Sequence, residues 1–337
     1  MACDEGNENE FNIIFRNHEQ KARYDILVAR KITCTKYMDP ITMDMLGIRD
    51  DVDWMISSLD WNDIMYAHAP TYPRLVLEFL SSLDVKFSSE DDYVGVITFR
   101  MMNKEVRWTF SDFNNYFGLP IGGARGFDDE IRWNEFWTSI TGSKDPYEPS
   151  RAKASRMQNP TFRYLHRVMS KTIFGRGESD GVVRKIELYS LWAMLNKVDF
   201  DSGFHFLQTL LRAAKASSGM IVFGGLITQI AFNLGCELDG LEVIHGNDKI
   251  DIDSCLAMKM ICRDENEFAF PRNNGFPLPL PCPERTSVRN PANWVITDLH
   301  PETVPSIIEE TKYHQEPSSS GFPHLSGHPE PRRHSFA

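Results

Sequence analysis

A run of cations within an acidic chain is the clearest chemical feature of the sequence. Residues 151–176 contain no Asp or Glu, although the formal net charge of the chain is −11. Arg163, Arg167 and Lys171 are spaced by four, so a helix would align them on one face, opposite its apolar stripe. Such a row can neutralise the phosphates of RNA or DNA with release of counterions. An ordinary solvated face, or pairing with acids elsewhere on the chain, is the alternative. The cations of the run are Arg151, Lys153, Arg156, Arg163, Arg167, Lys171 and Arg176.

Nothing in the sequence assembles a complete set of catalytic groups. Asp201-Ser202-Gly203 matches the tripeptide of aspartic proteases, whose chemistry needs two carboxylates that share a proton in a β-built cleft. Here the tripeptide separates two helical segments, so it is predicted to cap a helix. The sequence also has no Gly-x-Ser-x-Gly nucleophile elbow. We therefore expect no catalytic residues and no enzyme activity.

Acidic residues are numerous enough that a two-metal nuclease site has to be considered. No ribonuclease-like strand pattern places them at strand ends, so solvated loops are the favoured interpretation. The residues in question are Asp50, Asp51, Asp91, Asp92, Asp128, Asp129 and Glu130.

Metal and cofactor sites are not predicted either. The cysteines form no CxxC pair and no zinc-knuckle spacing, and His324 and His328 could hold a metal ion only adventitiously. Neither Gly122-Gly123 nor Gly224-Gly225 belongs to a phosphate loop. The second pair instead favours a tight turn and close helix packing. We expect no metal, no cofactor and no small-molecule substrate.

The apolar segments are all interrupted by charge well before they reach membrane-spanning length. The first ten residues are acidic and polar, which is unlike a secretory signal or a transit peptide. The sequence therefore predicts an intracellular protein, cytoplasmic or nuclear, with no membrane segment.

Helical periodicity dominates the sequence and indicates a mainly α fold of two helical lobes. Residues 1–30 are interpreted as an N-terminal arm. Residues 31–140 are interpreted as a first lobe, in which Tyr93–Arg100 and Val106–Phe110 form a small β-hairpin around a turn at Asn103-Lys104. Thr109 has the capping-box spacing to Asp112, which predicts a helix after the hairpin.

Composition divides the rest of the chain into three parts. Residues 141–158 are rich in Gly, Ser, Pro and Lys and are predicted to be a linker. Residues 159–270 are predicted to be a helical second lobe, which starts at Asn159-Pro160. Residues 271–337 hold twelve of the 19 prolines and are predicted to be a largely disordered tail rich in Pro, Ser and His.

Several segments, in this order, resemble the first-open-reading-frame, gag-region proteins of Athila-type plant retrotransposons. The resemblance spans roughly residues 31–270, and the hairpin with its helix is also similar to the plant mobile domain. The segments are Lys36-Tyr37-Met38-Asp39-Pro40, Met45-Leu46-Gly47-Ile48, Asp51-Val52, Thr71-Tyr72-Pro73, Leu77–Leu83, Phe117-Gly118-Leu119-Pro120, Asn159–Arg167 and Gly224–Thr228.

The resemblance implies a non-enzymatic, gag-like structural or nucleic-acid-associated protein that self-associates and contacts RNA or DNA. It brings no established catalytic residues. The chain lacks a zinc knuckle and any protease, reverse transcriptase or integrase segment. The alternative hypothesis is a transposon-derived, host-recruited nuclear module that binds other proteins. Its basis is the spacing of Pro277, Pro279, Pro281 and Pro283, which is typical of an extended docking segment.

Overall fold

The computed structural model of the chain describes residues 9–87, 95–127, 132–264, 267–271 and 277–296. Helices predominate in this part, and none of them is both long and apolar enough to cross a membrane. The helices are α1 (His18–Val28), α2 (Pro40–Leu46), α3 (Arg49–Ser57), α4 (Asn62–Tyr66), α5 (Pro73–Ser82), α6 (Phe110–Tyr116), α7 (Trp133–Thr141), α8 (Pro160–Lys171), α9 (Lys185–Asn196), α10 (Ser202–Lys215), α11 (Gly224–Asn233), α12 (Ile252–Ala257) and α13 (Pro283–Thr286). The strands are β1 (Tyr37–Met38), β2 (Asp84–Phe87), β3 (Gly95–Met101), β4 (Lys104–Thr109), β5 (Lys249–Ile250), β6 (Cys262–Asp264), β7 (Glu267–Phe270) and β8 (Leu278–Leu280).

The predicted β-hairpin is present as β3 and β4, and β2 extends it to a three-stranded antiparallel sheet. Met102 and Asn103 form the turn, both with positive φ, so the turn begins one residue earlier than predicted. The capping box of Thr109 and Asp112 is also present, and it starts α6. β1 pairs in parallel with β5, while β6, β7 and β8 form a second antiparallel sheet.

Helix α5 lies at the centre of the core. Pro73 occupies its first turn, where a missing N–H removes no helical hydrogen bond. All residues of α5 except Arg74 are buried. The helix packs against α1, α10, α11 and β3, and therefore joins elements that the sequence assigned to different parts of the chain.

The packing does not confirm the two-lobe division. One buried core runs through both expected lobes, and the described residues form one compact unit. Within the expected linker, residues 141–158, Ala152 and Met157 are buried, and the Ala154 N–H donates to the Gly181 carbonyl oxygen at 2.8 Å. Composition predicted the scarcity of regular structure there. It carries no information on whether an irregular segment packs against a core.

The first part of the predicted disordered tail is folded, which corrects that prediction for residues 277–296. β8 is an edge strand, where Pro279 is tolerated because an edge leaves backbone N–H positions unpaired. Pro281 packs against Gly47, and Val288 is fully buried. Residues 272–276 and 297–337 of the predicted tail lie outside the described residues.

The N-terminal arm docks on the core through α1. The Asn17 side chain caps this helix by accepting a hydrogen bond from the Gln20 N–H at 2.9 Å. Tyr24 and Leu27 are buried, and α1 packs against α5 and α10.

Candidate nucleic-acid interface

Helix α8 carries the central part of the cationic run. Asn159 caps it, with Oδ1 accepting from the Thr161 N–H at 2.8 Å, and Pro160 occupies its first turn. Phe162, Leu165 and Met169 are fully buried on its inner side. The predicted helical alignment is confirmed, since Arg163, Arg167 and Lys171 lie together on the opposite, partly exposed side.

A cavity of about 210 Å³ opens beside this face of α8. Three of its lining residues are predicted phosphate-binding cations, which come from two separate parts of the chain. No acidic residue of the described part of the chain belongs to the lining. The lining consists of Lys153, Ala154, Ser155, Arg163, His166, Arg167, Gly181, Met258 and Met260.

Asp180 pairs with two of the aligned cations. Its Oδ2 lies 2.6 Å from Lys171 Nζ, and it also forms an ion pair with Arg167. Burial raises the pKa of Asp180, but the hydrogen bonds and charges of Lys171 and Arg167 lower it more strongly, so the net shift is downward. The sequence left open that this face pairs with an acid elsewhere on the chain. Arg167 and Lys171 are paired in this way with Asp180.

Arg163 and Lys153 have no acidic partner among the described residues. Arg163 Nη2 donates to the Lys259 carbonyl oxygen at 3.0 Å, and the guanidinium lies 5.1 Å from the centre of the Phe270 ring. Burial, and then the charge of Arg167, lower the pKa of Arg163 to about 10. It keeps its charge at neutral pH. The side chain of Lys153 is exposed.

Four cations of the run lie outside the cavity lining, namely Lys171, which pairs with Asp180, and Arg151, Arg156 and Arg176. Arg151 is highly exposed and lies 3.5 Å from Glu148, while Arg156 pairs with Asp145 at 3.0 Å. Arg176 is buried, which removes it from any exposed phosphate-binding surface. The sequence grouped it with the others because spacing alone does not distinguish a buried cation from an exposed one.

Arg176 belongs to a buried polar network that sequence reasoning missed. Arg176 Nη1 lies 2.9 Å from both carboxylate oxygens of Glu187, and His166 Nε2 lies 3.0 Å from Glu187 Oε2. The Arg184 N–H also donates to Glu187 at 2.8 Å. Burial raises the pKa of Glu187, but the hydrogen bond from His166 and the charges of His166 and Arg176 outweigh it, and the net pKa is lowered. The sequence does contain a signal for this network, which is the carboxylate of Glu187 next to Leu188 on the mostly apolar helix α9.

A second, smaller cavity of about 70 Å³ lies beside Asp201. Asp201 is the only acidic residue of its lining within the described ranges. It accepts from the Phe204 N–H at 3.0 Å and lies 2.7 Å from Arg125 Nε. The prediction that Asp201 caps a helix is thus confirmed for α10. Its described lining supplies no second carboxylate for protease chemistry.

No group of three or more His, Cys, Asp or Glu in the described part of the chain could hold a metal ion. Asp91, Asp92, Asp128, Asp129 and Glu130 lie outside that part.

Comparison with protein families gives a match to the ATHILA ORF-1 family over residues 16–198. This range is more than half of the 337 residues, and it includes all seven cations of the run. Comparisons with curated proteins and with solved structures give no match.

Proposed function

Because the chain belongs to the ATHILA ORF-1 family, we propose that it is a non-enzymatic, gag-like protein of a plant retrotransposon that binds the phosphate backbone of single-stranded RNA. The observation that carries the proposal is the cavity beside α8, whose lining contains Lys153, Arg163 and Arg167 and, among the residues that the structure describes, no acidic one. The phosphates of the strand are bound around this cavity.

Local charge, and not net charge, governs this contact. At −11 the chain as a whole repels a polyanion. At the distances of an ion pair, however, a phosphate interacts mainly with the cations around the cavity, since distant charges are screened beyond roughly 8 Å at physiological salt. Lys153 and Arg163 contribute most, because Asp180 already neutralises part of the charge of Arg167 and Lys171.

The test is binding of a labelled, short single-stranded RNA to the full chain, measured by fluorescence anisotropy at low and at near-physiological salt. We expect binding that weakens steeply with salt, and a loss of affinity when Lys153→Gln and Arg163→Gln are combined. The matched control is Lys104→Gln with Arg107→Gln, which removes the same residue types from exposed positions on β4. Absence of RNA binding by the wild type, or equal losses in both double variants, would overturn the proposal. Single-stranded DNA of the same sequence distinguishes the preferred nucleic acid.

Self-association is a second candidate function, favoured by an apolar pair on α2. Ile41 and Met45 are spaced by four on the helix, and their exposed fractions are 66% and 42%. Contiguous exposed apolar surface marks candidate contacts with other proteins, and these two neighbouring side chains are the observation that favours such a contact on α2. A second copy of the chain is the occupant proposed here, because assembly is the property that a gag-like role requires.

Light scattering over a range of concentrations tests self-association. The mass of the wild type is expected to rise with concentration, and Ile41→Gln with Met45→Gln is expected to weaken that rise. Ile14→Gln with Ile121→Gln is the control, since both side chains are more than half exposed. A strict monomer at high concentration would contradict this function.

The alternative of a host-recruited docking module loses part of its basis. Pro279 lies within β8, Pro281 packs against Gly47, and Pro283 starts α13. These prolines are held in the fold and do not form a free extended segment.

A further inference from the structure

We propose that the cavity beside α8 binds a single phosphate monoester, the group that ends an RNA strand at its phosphorylated 5′ terminus or that a free nucleoside 5′-monophosphate carries. The inference rests on the proposed function for the nature of its ligand, a nucleic-acid phosphate. It goes further by assigning the cavity to a terminal phosphate and the surrounding surface to the backbone.

The size of the cavity fits this ligand. Its volume of about 210 Å³ is far above the roughly 10–15 Å³ that a single water molecule needs. A phosphate group with part of its sugar fits such a space, whereas a folded strand does not. The terminal phosphate of a strand can enter this cavity while the rest of the strand stays outside it.

The charge of the lining favours a monoester over an internal diester. A phosphate monoester carries about −1.5 to −2 charges at pH 7, compared with one charge on a diester. Arg163 and Arg167 stand one turn apart on α8, and burial, followed by repulsion from the charge of Arg167, lowers the pKa of Arg163. An anion bound between the two guanidinium groups relieves this repulsion, and their planar donor pattern matches phosphate oxygens.

The remaining lining residues support a nucleotide phosphate in particular. Met258 and Met260 supply an apolar surface next to the cations, and Ser155 supplies a hydroxyl. His166 Nδ1 has no hydrogen-bond partner although it is buried, while its Nε2 is held by Glu187. A buried polar atom without a protein partner calls for an explanation such as a ligand or an ordered water molecule.

The experiment compares two single-stranded RNAs of identical sequence, one with a 5′-phosphate and one with a 5′-hydroxyl, for binding to the full chain. The 5′-phosphate is expected to strengthen binding by about tenfold, as for one hydrogen-bonded charge. Arg163→Gln is expected to remove the difference in affinity between the two RNAs. Lys153→Gln, at an exposed position, is expected to reduce this ratio of affinities without affecting the fold. Arg163→Lys, which keeps the charge but loses the planar donor pattern, is expected to retain part of it. Lys104→Gln with Arg107→Gln is expected to leave the ratio unchanged.

The outcomes separate this inference from the proposed function. Equal, salt-sensitive binding of both RNAs would overturn the phosphate-monoester site and leave backbone binding intact. Binding of the 5′-phosphorylated RNA alone would support the site and overturn backbone binding. If adenosine 5′-monophosphate competes with the 5′-phosphorylated RNA, a free nucleotide is a sufficient ligand. If the RNA binds and the mononucleotide does not compete, the ligand is the phosphorylated RNA terminus. Failure of both RNAs and of the mononucleotide to bind would overturn both proposals.

Discussion

Arg176 Nη1 and Glu187 Oε1 lie 2.9 Å apart in the protein interior, and neither side chain is more than 3% exposed. Glu187→Gln removes the charge that compensates Arg176. We expect it to lower the free energy of unfolding by about 3 kcal/mol, because a buried charge without its partner is costly.

Urea denaturation followed by circular dichroism measures this loss. Glu148→Gln is the matched control, since it removes the acid of the exposed Arg151 pair and should change stability by less than about 1 kcal/mol. Similar effects of the two substitutions would contradict the assignment of Glu187 as the centre of a buried network.

A second prediction concerns stability at mildly acidic pH. Burial lowers the pKa of His205 from 6.5 to about 4, and its ring stacks on Phe200 with ring centres 4.9 Å apart. Between these two pH values the unfolded chain binds a proton that the folded chain excludes, so stability must fall as the pH drops from about 6.5 to about 4. His205→Phe keeps an aromatic ring and should flatten this dependence. Denaturation at pH 7 and pH 5 checks it, and an unchanged pH dependence in the variant would refute the role of His205.

Asn159 joins the start of α8 to the folded part of the predicted tail. Its Oδ1 caps α8, while Nδ2 donates to the Thr286 carbonyl oxygen at 2.8 Å and to that of Asn293 at 3.1 Å. Asn159→Ala removes the cap and leaves buried groups unsatisfied, so we expect a loss of about 2–4 kcal/mol. Asn17→Ala removes only the cap of α1 and should cost about 1 kcal/mol. Equal losses in thermal or urea unfolding would argue against the bridging role of Asn159.

Gly225 is required by close packing at the start of α11. A Cβ at this position would lie 1.9 Å from the Tyr37 hydroxyl oxygen and 2.6 Å from the Ala69 carbonyl oxygen. This confirms the prediction of close packing at Gly224-Gly225. Gly225→Ala is expected to destabilise the protein by about 1–3 kcal/mol, as overpacked cores do. Gly126→Ala meets no atom within 4 Å and should be close to neutral in the same unfolding measurement. A neutral Gly225→Ala would contradict this packing.

Local signals in the sequence predicted α8 and its cap. Asn159-Pro160 and the spacing of Arg163, Arg167 and Lys171 depend only on neighbouring residues. The cavity could not be predicted in this way, because Met258 and Met260 line it from a distant part of the chain. The Lys259 carbonyl oxygen that accepts from Arg163 is likewise 96 positions away. The high proline content likewise predicted disorder in residues 277–296. Proline content could not indicate that β8 lies at the edge of a sheet, where proline is tolerated.

The salt dependence of RNA binding tests the central claim most directly. Each phosphate contact to a single strand contributes about 0.7 to the slope of log affinity against log salt concentration. The account predicts that Lys153→Gln with Arg163→Gln reduces the magnitude of this slope by about 1.4, while Lys104→Gln with Arg107→Gln leaves it at the wild-type value. Identical slopes for the wild type and the Lys153/Arg163 variant, or equal reductions in both variants, would show that the cavity beside α8 is not where the phosphates bind.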